Sequence, residues 1–126
     1  MNNLYRELAP ITAKAWEEIE QEATRTFKRH IAGRRVVDFS GPHGLDFSAV
    51  GLGQSVEIKS PGDGVTAYQR VVAPGVELRV PFTLTRRELD NVDRGAHDTD
   101  LDPVRAAAKR IAFAEDRVIF EGYEDA

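Results

Sequence analysis

The sequence predicts an α+β chain, and three observations carry that reading. A long helix is marked at both ends over residues 102–122, a Thr-capped helix stands near the N-terminus, and segments between them alternate apolar and polar residues about a turn sequence. The C-terminal helix, DPVRAAAKRIAFAEDRVIFEG, is the spine. Asp102 is expected as its N-cap, Pro103 sits at the first helical position where no N–H is needed, and Gly122 stops it. Val104, Ala108, Ile111, Val118 and Ile119 recur at helical spacing, with Ala107, Ala112 and Ala114 allowing close approach. Phe113 and Phe120 widen the apolar surface, so contacts on two sides are expected.

From the N-terminus, Leu4, Tyr5, Leu8 and Pro10 lack a long periodic pattern and read as an arm. Thr12 caps a helix running to about Ala32, where Gly33 ends it, and Ile11 with Trp16 suits a hydrophobic staple. Trp16, Ile19, Ala23, Phe27 and Ile31 form its narrow apolar stripe. The acids Glu17, Glu18, Glu20 and Glu22 precede the bases Arg25, Lys28 and Arg29, an order that complements the helix dipole. With Arg34 and Arg35 the bases continue past the helix; solvation and an anionic partner are both open readings of this run.

Arg35 to Ser40 is expected as a short strand closed by Gly41-Pro42-His43-Gly44. Val56 to Lys59 and Thr66 to Val72 read as strands of a hairpin about Pro61-Gly62-Asp63-Gly64, too poor in large apolar side chains to stand alone. Val76 to Leu84 has the cleanest alternation of period two, with Pro81 placing it at an edge or bulge. Thr85-Arg86-Arg87-Glu88 is a capping box opening a short helix that buries Leu89 and Val92 and ends near Gly95.

The 126 residues suffice for one domain with a core, and 41% apolar with 30% charged content is ordinary globular composition. No cysteine is present, which removes disulfides, thiolate nucleophiles and thiolate metal sites. No apolar run approaches a membrane span or signal peptide, so a soluble, cytoplasmic protein is expected. A net charge of -4 argues against a surface generally suited to nucleic acid.

Catalytic and metal motifs fail on inspection. Asp98-Thr99-Asp100-Leu101-Asp102 alternates carboxylates as a calcium loop does, but Pro103 replaces the turn glycine and Lys109 the bidentate glutamate. His30, His43 and His97 are scattered. Glu115 and Asp116 are adjacent on a helix, point about 100° apart, and read as contacts of a packed helix rather than an acid–base pair. The glycines at 41–44 and 51–53 lack the Lys-Ser/Thr of a phosphate loop, and there is no nucleophile elbow. No catalytic residue and no metal site is expected.

Four ordered stretches, MNNLYRELAPIT, TFKRHIAGRRVVDFSGPHG, VELRVPFTLTRRELDNVDRG and AAKRIAFAEDRVIFEGY, resemble the N-terminal part of encapsulin shell proteins, most closely the actinobacterial type, once labelled linocin- or bacteriocin-like. The resemblance implies a fold like that of tailed-phage major capsid proteins and a shell subunit of an icosahedral protein compartment. It divides the chain into an N-terminal arm (1–11), an interior helix (12–34), an extended-loop hairpin (52–72) and part of a peripheral domain (35–51 and 73–126) with its spine helix at 103–121. The axial domain is missing. Members are about twice as long, so a split or truncated protomer completed by a C-terminal fragment is expected.

The resemblance also implies partners: identical subunits, and a cargo enzyme such as a dye-decolorising peroxidase or ferritin-like protein, captured through a short targeting peptide. Phe27, Ile31, Arg34, Val36 and Asp38 match the N-terminal side of the docking region, where Arg34 offers a planar charged fork to backbone or carboxylate. Core packing of Phe27 and Ile31, with an Arg34–Asp38 pair, is the competing reading. Some members stack flavin on an aromatic residue in the segment that here reads Thr85-Arg86-Arg87-Glu88; Arg87 is no such platform, and no cofactor is expected. A phage capsid protein and a small stand-alone enzyme are the alternative functions.

Overall fold

A computed structural model of the chain describes residues 9, 11–97 and 99–125. The order is α1 (Ala13–His30), a 3-10 turn (Gly33–Arg35), β1 (Ala49–Ile58), β2 (Ala67–Pro74), α2 (Arg86–Asp93) and α3 (Asp102–Glu121), a mixture of helices and one small antiparallel sheet. Two compact units result. The first comprises the described residues of Met1–Asp38 and Leu78–Gly122, the second those of Phe39–Glu77 and Tyr123–Ala126. Leu4, Tyr5, Leu8 and Pro10 of the expected arm lie outside the described residues.

In the first unit α1, α2 and α3 enclose the core. Thr12 caps α1 by accepting from the Ala15 N–H at 3.2 Å, and its hydroxyl donates to Asp93 at 2.5 Å, tying the start of α1 to the end of α2. Ala15, Ile19, Leu89, Leu101 and Val104 are buried together, with Ile11, Trp16, Ala23 and Leu84 packed against them. The expected staple residues therefore both reach the core.

Glu22 is buried in the same unit, hydrogen-bonded by Arg25 one turn on and by Arg105 of α3 at 3.1 Å. Thr85 caps α2 by accepting from the Glu88 N–H at 3.3 Å, but the Glu88 carboxylate does not close the reciprocal half of a capping box. It accepts the Asp100 N–H at 3.2 Å and so holds the loop before α3.

Four further expectations are corrected. Asp102 is the first residue of α3, not its cap: Leu101, 3% exposed, takes that position without a side-chain bond. The Asp102 N–H is met by Asp100 Oδ1 at 3.1 Å, so the capping carboxylate stands two residues earlier, as in an Asx turn, while Asp102 pairs with Arg105. Asp98 of the same acidic stretch lies outside the described residues.

The segment from Arg35 to Ser40 is not a strand. Arg35, Val36 and Val37 N–H groups bond back to Ala32 and Gly33 carbonyls at 3.0–3.3 Å, and a backbone that closes on itself has no donors left for a ladder. Val76 to Leu84 forms no strand either: alternation describes a half-buried surface but supplies no partner, and Pro81 cannot donate. α1 also ends two residues before the expected Ala32, at His30, with Ile31 as its C-cap.

The second unit is built on the hairpin, longer than its alternating stretches indicate. The register pairs Ala49 with Pro74 and Ile58 with Ala67, and shifts between Gly51 and Gln54, where Gly53 adopts φ +69°. Beyond the ladder the Gly75 N–H donates to the Ser48 carbonyl at 2.7 Å. Ser60 holds the turn through the carbonyls of Gly62 and Val65. Val50, Leu52, Val56, Ile58, Tyr68 and Val72 are all exposed, so neither face of the ribbon has a core.

Candidate cargo-docking cleft

Of the five residues expected at the docking region, three come together. Phe27 and Ile31 follow Ala23 at successive spacings of four on α1, so they share one face. That face meets α3 at Ala108 and Ile111, and the short alanine side chain leaves a groove beside the seam. Ala23, Thr24, Phe27, Lys28, Ile31, Arg34, Ala108 and Ile111 line an open cleft of about 420 Å³. Ile31 is buried at its floor and Phe27 half-buried in its wall. The α1 stripe thus serves two purposes: Ile19 enters the core, and the C-terminal part borders the cleft.

Arg34 stands at the mouth. Its Nε lies 3.1 Å from both Glu115 oxygens and its Nη2 2.8 Å from Oε1, a fork-to-fork pairing with α3. Its guanidinium carbon lies 5.1 Å from the Phe27 ring centroid, within cation–π range. The charge is thereby fixed at the end of an apolar trough. Lys28 is the second cation among the lining residues. Val36 and Asp38 are exposed on the chain leaving the 3-10 turn and are not among the residues lining the cleft.

The turn that carries Arg34 is latched to α3 by the neighbouring acid. Asp116 accepts the Ala32 N–H at 3.0–3.1 Å and the Gly33 N–H at 2.7 Å, giving donors beyond the end of α1 a carboxylate partner. Gly33 makes this possible, since a Cβ there would lie 2.6 Å from Ile119 Cδ1. The Glu115–Asp116 pair therefore does make the contacts of a packed helix. Sequence reasoning did not find Glu115 as the partner of Arg34: the two are 81 residues apart, and no local pattern marks a tertiary ion pair. Ala108 and Ile111 were on the expected apolar stripe of α3, and only the packing shows that they border a groove.

Among the described residues no group of three or more His, Asp or Glu side chains is placed to hold a metal ion. No helix among them is long and apolar enough to cross a membrane.

Comparison with known proteins shows the family of the chain. Residues 1–126 match the Linocin_M18 family, described as "Encapsulating protein for peroxidase". The chain is similar to the type 1 encapsulin shell proteins of Mycolicibacterium paratuberculosis and Rhodococcus erythropolis, 62% identical over 98% of this chain in both cases and covering 46% and 47% of those proteins. Similarity to the type 1 encapsulin shell protein of Mycobacterium tuberculosis is 60% over the whole chain and 48% of the relative. The chain thus spans about half the length of the curated relatives it matches, corresponding to their N-terminal part. A match of this identity across all 126 residues shows that the chain belongs to the encapsulin shell-protein family.

Proposed function

We propose that the protein is a shell subunit of a self-assembling icosahedral compartment in the cytoplasm, with the capsid-like fold of its family, and that it encloses enzymes carrying a targeting peptide. Family membership over the whole chain carries this reading. In it α1 lines the interior, the β1–β2 hairpin pairs with adjacent subunits, and a segment supplying the rest of the relatives' length completes the protomer. The description of the family supports a peroxidase as the enclosed enzyme, with a ferritin-like protein as the other expected cargo.

The α1–α3 cleft suits a peptide. Its trough is apolar where Phe27, Ile31, Ala108 and Ile111 meet, so it accepts aliphatic side chains, and Arg34 and Lys28 offer charge to carboxylates or backbone carbonyls. Val36 and Asp38 extend the docking surface along the exit chain.

The test is co-expression with a reporter enzyme carrying the targeting peptide. Arg34→Ala and Asp38→Ala are each expected to lower the cargo-to-shell ratio several-fold, with particle size by electron microscopy unchanged. Loading that stays at the parent level in both variants would refute the docking assignment, whereas the absence of particles from the parent would refute the shell reading itself.

A further inference from the structure

The flank of the α1–α3 seam away from the apolar cleft is chemically its opposite. Glu22, Arg25, Thr26, Arg29 and His30 of α1 face Arg105, Ala106 and Lys109 of α3 about a depression of about 230 Å³. Arg25 and Arg29 are four residues apart on one helix, and Arg105 and Lys109 four apart on the other. Like charges at that spacing repel, and here two such pairs are set against each other.

The acids nearby answer only half of this charge. Buried Glu22 is the floor, hydrogen-bonded by Arg25 and by Arg105, so it anchors one arginine from each helix. Asp102 pairs with Arg105 again. Arg29 and Lys109 have no carboxylate three or four residues away in the sequence, where Thr26, Arg25, Ala32 and Gly33 flank the first and Ala106, Arg105, Ala112 and Phe113 the second. The Lys109 ammonium lies 5.6 Å from the Phe113 ring centroid. The His30 and Phe113 rings are nearly perpendicular with centroids 5.8 Å apart, and His30 is held through Nδ1 by the Thr26 carbonyl at 2.9 Å, so one phenyl contacts both. Two surplus cations thus stand beside a concave floor that holds one buried carboxylate.

We propose that this flank, formed by Arg25, Arg29, Arg105 and Lys109, binds a multivalent phosphate the size of pyrophosphate, either free or as the phosphate tail of a nucleotide. A compact dianion or larger matches two neighbouring surplus charges, which a monoanion cannot. Phosphate oxygens suit both donor types present, the planar fork of arginine and the point charge of lysine. At about 30 Å³ per displaced water, the depression has room for two linked phosphates. Its lining includes four cationic side chains and no large aliphatic one of the kind Ile31 and Ile111 supply to the apolar cleft. The site is independent of the cargo reading, because none of these four cations lines the apolar cleft.

Isothermal titration of the full-length protein in its native assembly state, at low ionic strength, tests this with inorganic pyrophosphate, ATP and hexaglutamate. Saturable pyrophosphate binding at one site per chain is expected, weakened about tenfold or more by Arg29→Gln and by Lys109→Gln and unchanged by Arg110→Gln, which removes the same charge from α3 outside the site. ATP binding more tightly than pyrophosphate would identify a nucleotide and ATP binding more weakly a free anion, both in support. Absence of saturable binding, equal weakening by Arg110→Gln, or tighter binding of hexaglutamate would overturn the proposal.

Discussion

Glu22 is an acid in the interior of a small helical unit, tolerable because it is answered from two helices. Burial alone pushes its carboxyl pKa up and is the largest single influence. Hydrogen bonds from Arg105 and Arg25, reinforced by their charges, together outweigh it and hold the group below its ordinary value. A depressed folded-state pKa contributes stability that is fully present above the unfolded-state value and is lost as pH falls through the folded one. Glu22→Gln is therefore expected to flatten the acid limb of a stability–pH curve as pH falls below the ordinary carboxylate range, and to lower stability at neutral pH by about 1.5–3 kcal/mol, the scale of a lost hydrogen bond to a charged group; urea titration through that limb measures both. Gly33 makes a sharper steric prediction. Gly33→Ala should cost about 1–3 kcal/mol as overpacking, since its Cβ would fall 2.6 Å from Ile119 Cδ1 and 3.0 Å from Asp116 Oδ1. Ile119→Val deletes that very methyl, so the double variant should recover part of the loss, and strictly additive free energies would exclude the clash as the cause.

Elements were legible in the sequence where their signals are local. Thr12 and Thr85 cap the helices they were expected to cap, Gly122 ends α3 at φ +78°, and the turn after Ser60 joins two antiparallel strands. Signals requiring a distant partner misled. Val76 to Leu84 has the alternation of a strand and nothing among the described residues to pair with. Arg35 to Ser40 has β-branched residues, but its start is taken by the 3-10 turn that Asp116 latches from the other end of the chain. For the candidate site, the α1 face was readable from its spacing of four, whereas Glu115, Ala108 and Ile111 join it only through packing.

The hairpin is exposed on both faces and belongs to a compact unit of its own, separate from the one that holds the three helices. Replacing residues 52–72 by a short Gly-Ser turn is expected to leave the cooperative melt of that unit intact and to abolish particles, since pairing with a neighbouring subunit is what its unsatisfied surface suits. Normal particles from the deletion would refute this.

At the scale of the molecule, much apolar surface is uncovered. Phe113 and Phe120 on α3 are 51% and 61% exposed, and Phe39, Phe47, Phe82 and Tyr123 are exposed as well. Full burial of one such side chain contributes about 1.5–3 kcal/mol, so a polypeptide limited to these 126 residues should self-associate. Light scattering with size-exclusion chromatography is expected to show aggregates, resolved when the remaining length of the relatives is co-expressed; a monodisperse species with a sharp melt on its own would contradict it. Residues 39–77 are an insertion within the sequence of the helical unit, and the ladder that begins where Ala49 meets Pro74, with the Gly75 N–H on the Ser48 carbonyl beyond it, holds residues 48 and 75 together. Loop-closure entropy grows only as the logarithm of length, about 0.6 kcal/mol per doubling, and it is set by the chain left slack. A zipped hairpin leaves only the short stretches on either side of residues 48 and 75 slack. The helical unit can therefore close across its insertion as though across a much shorter loop, and the insertion can lengthen or shorten at its tip with little effect on that closure.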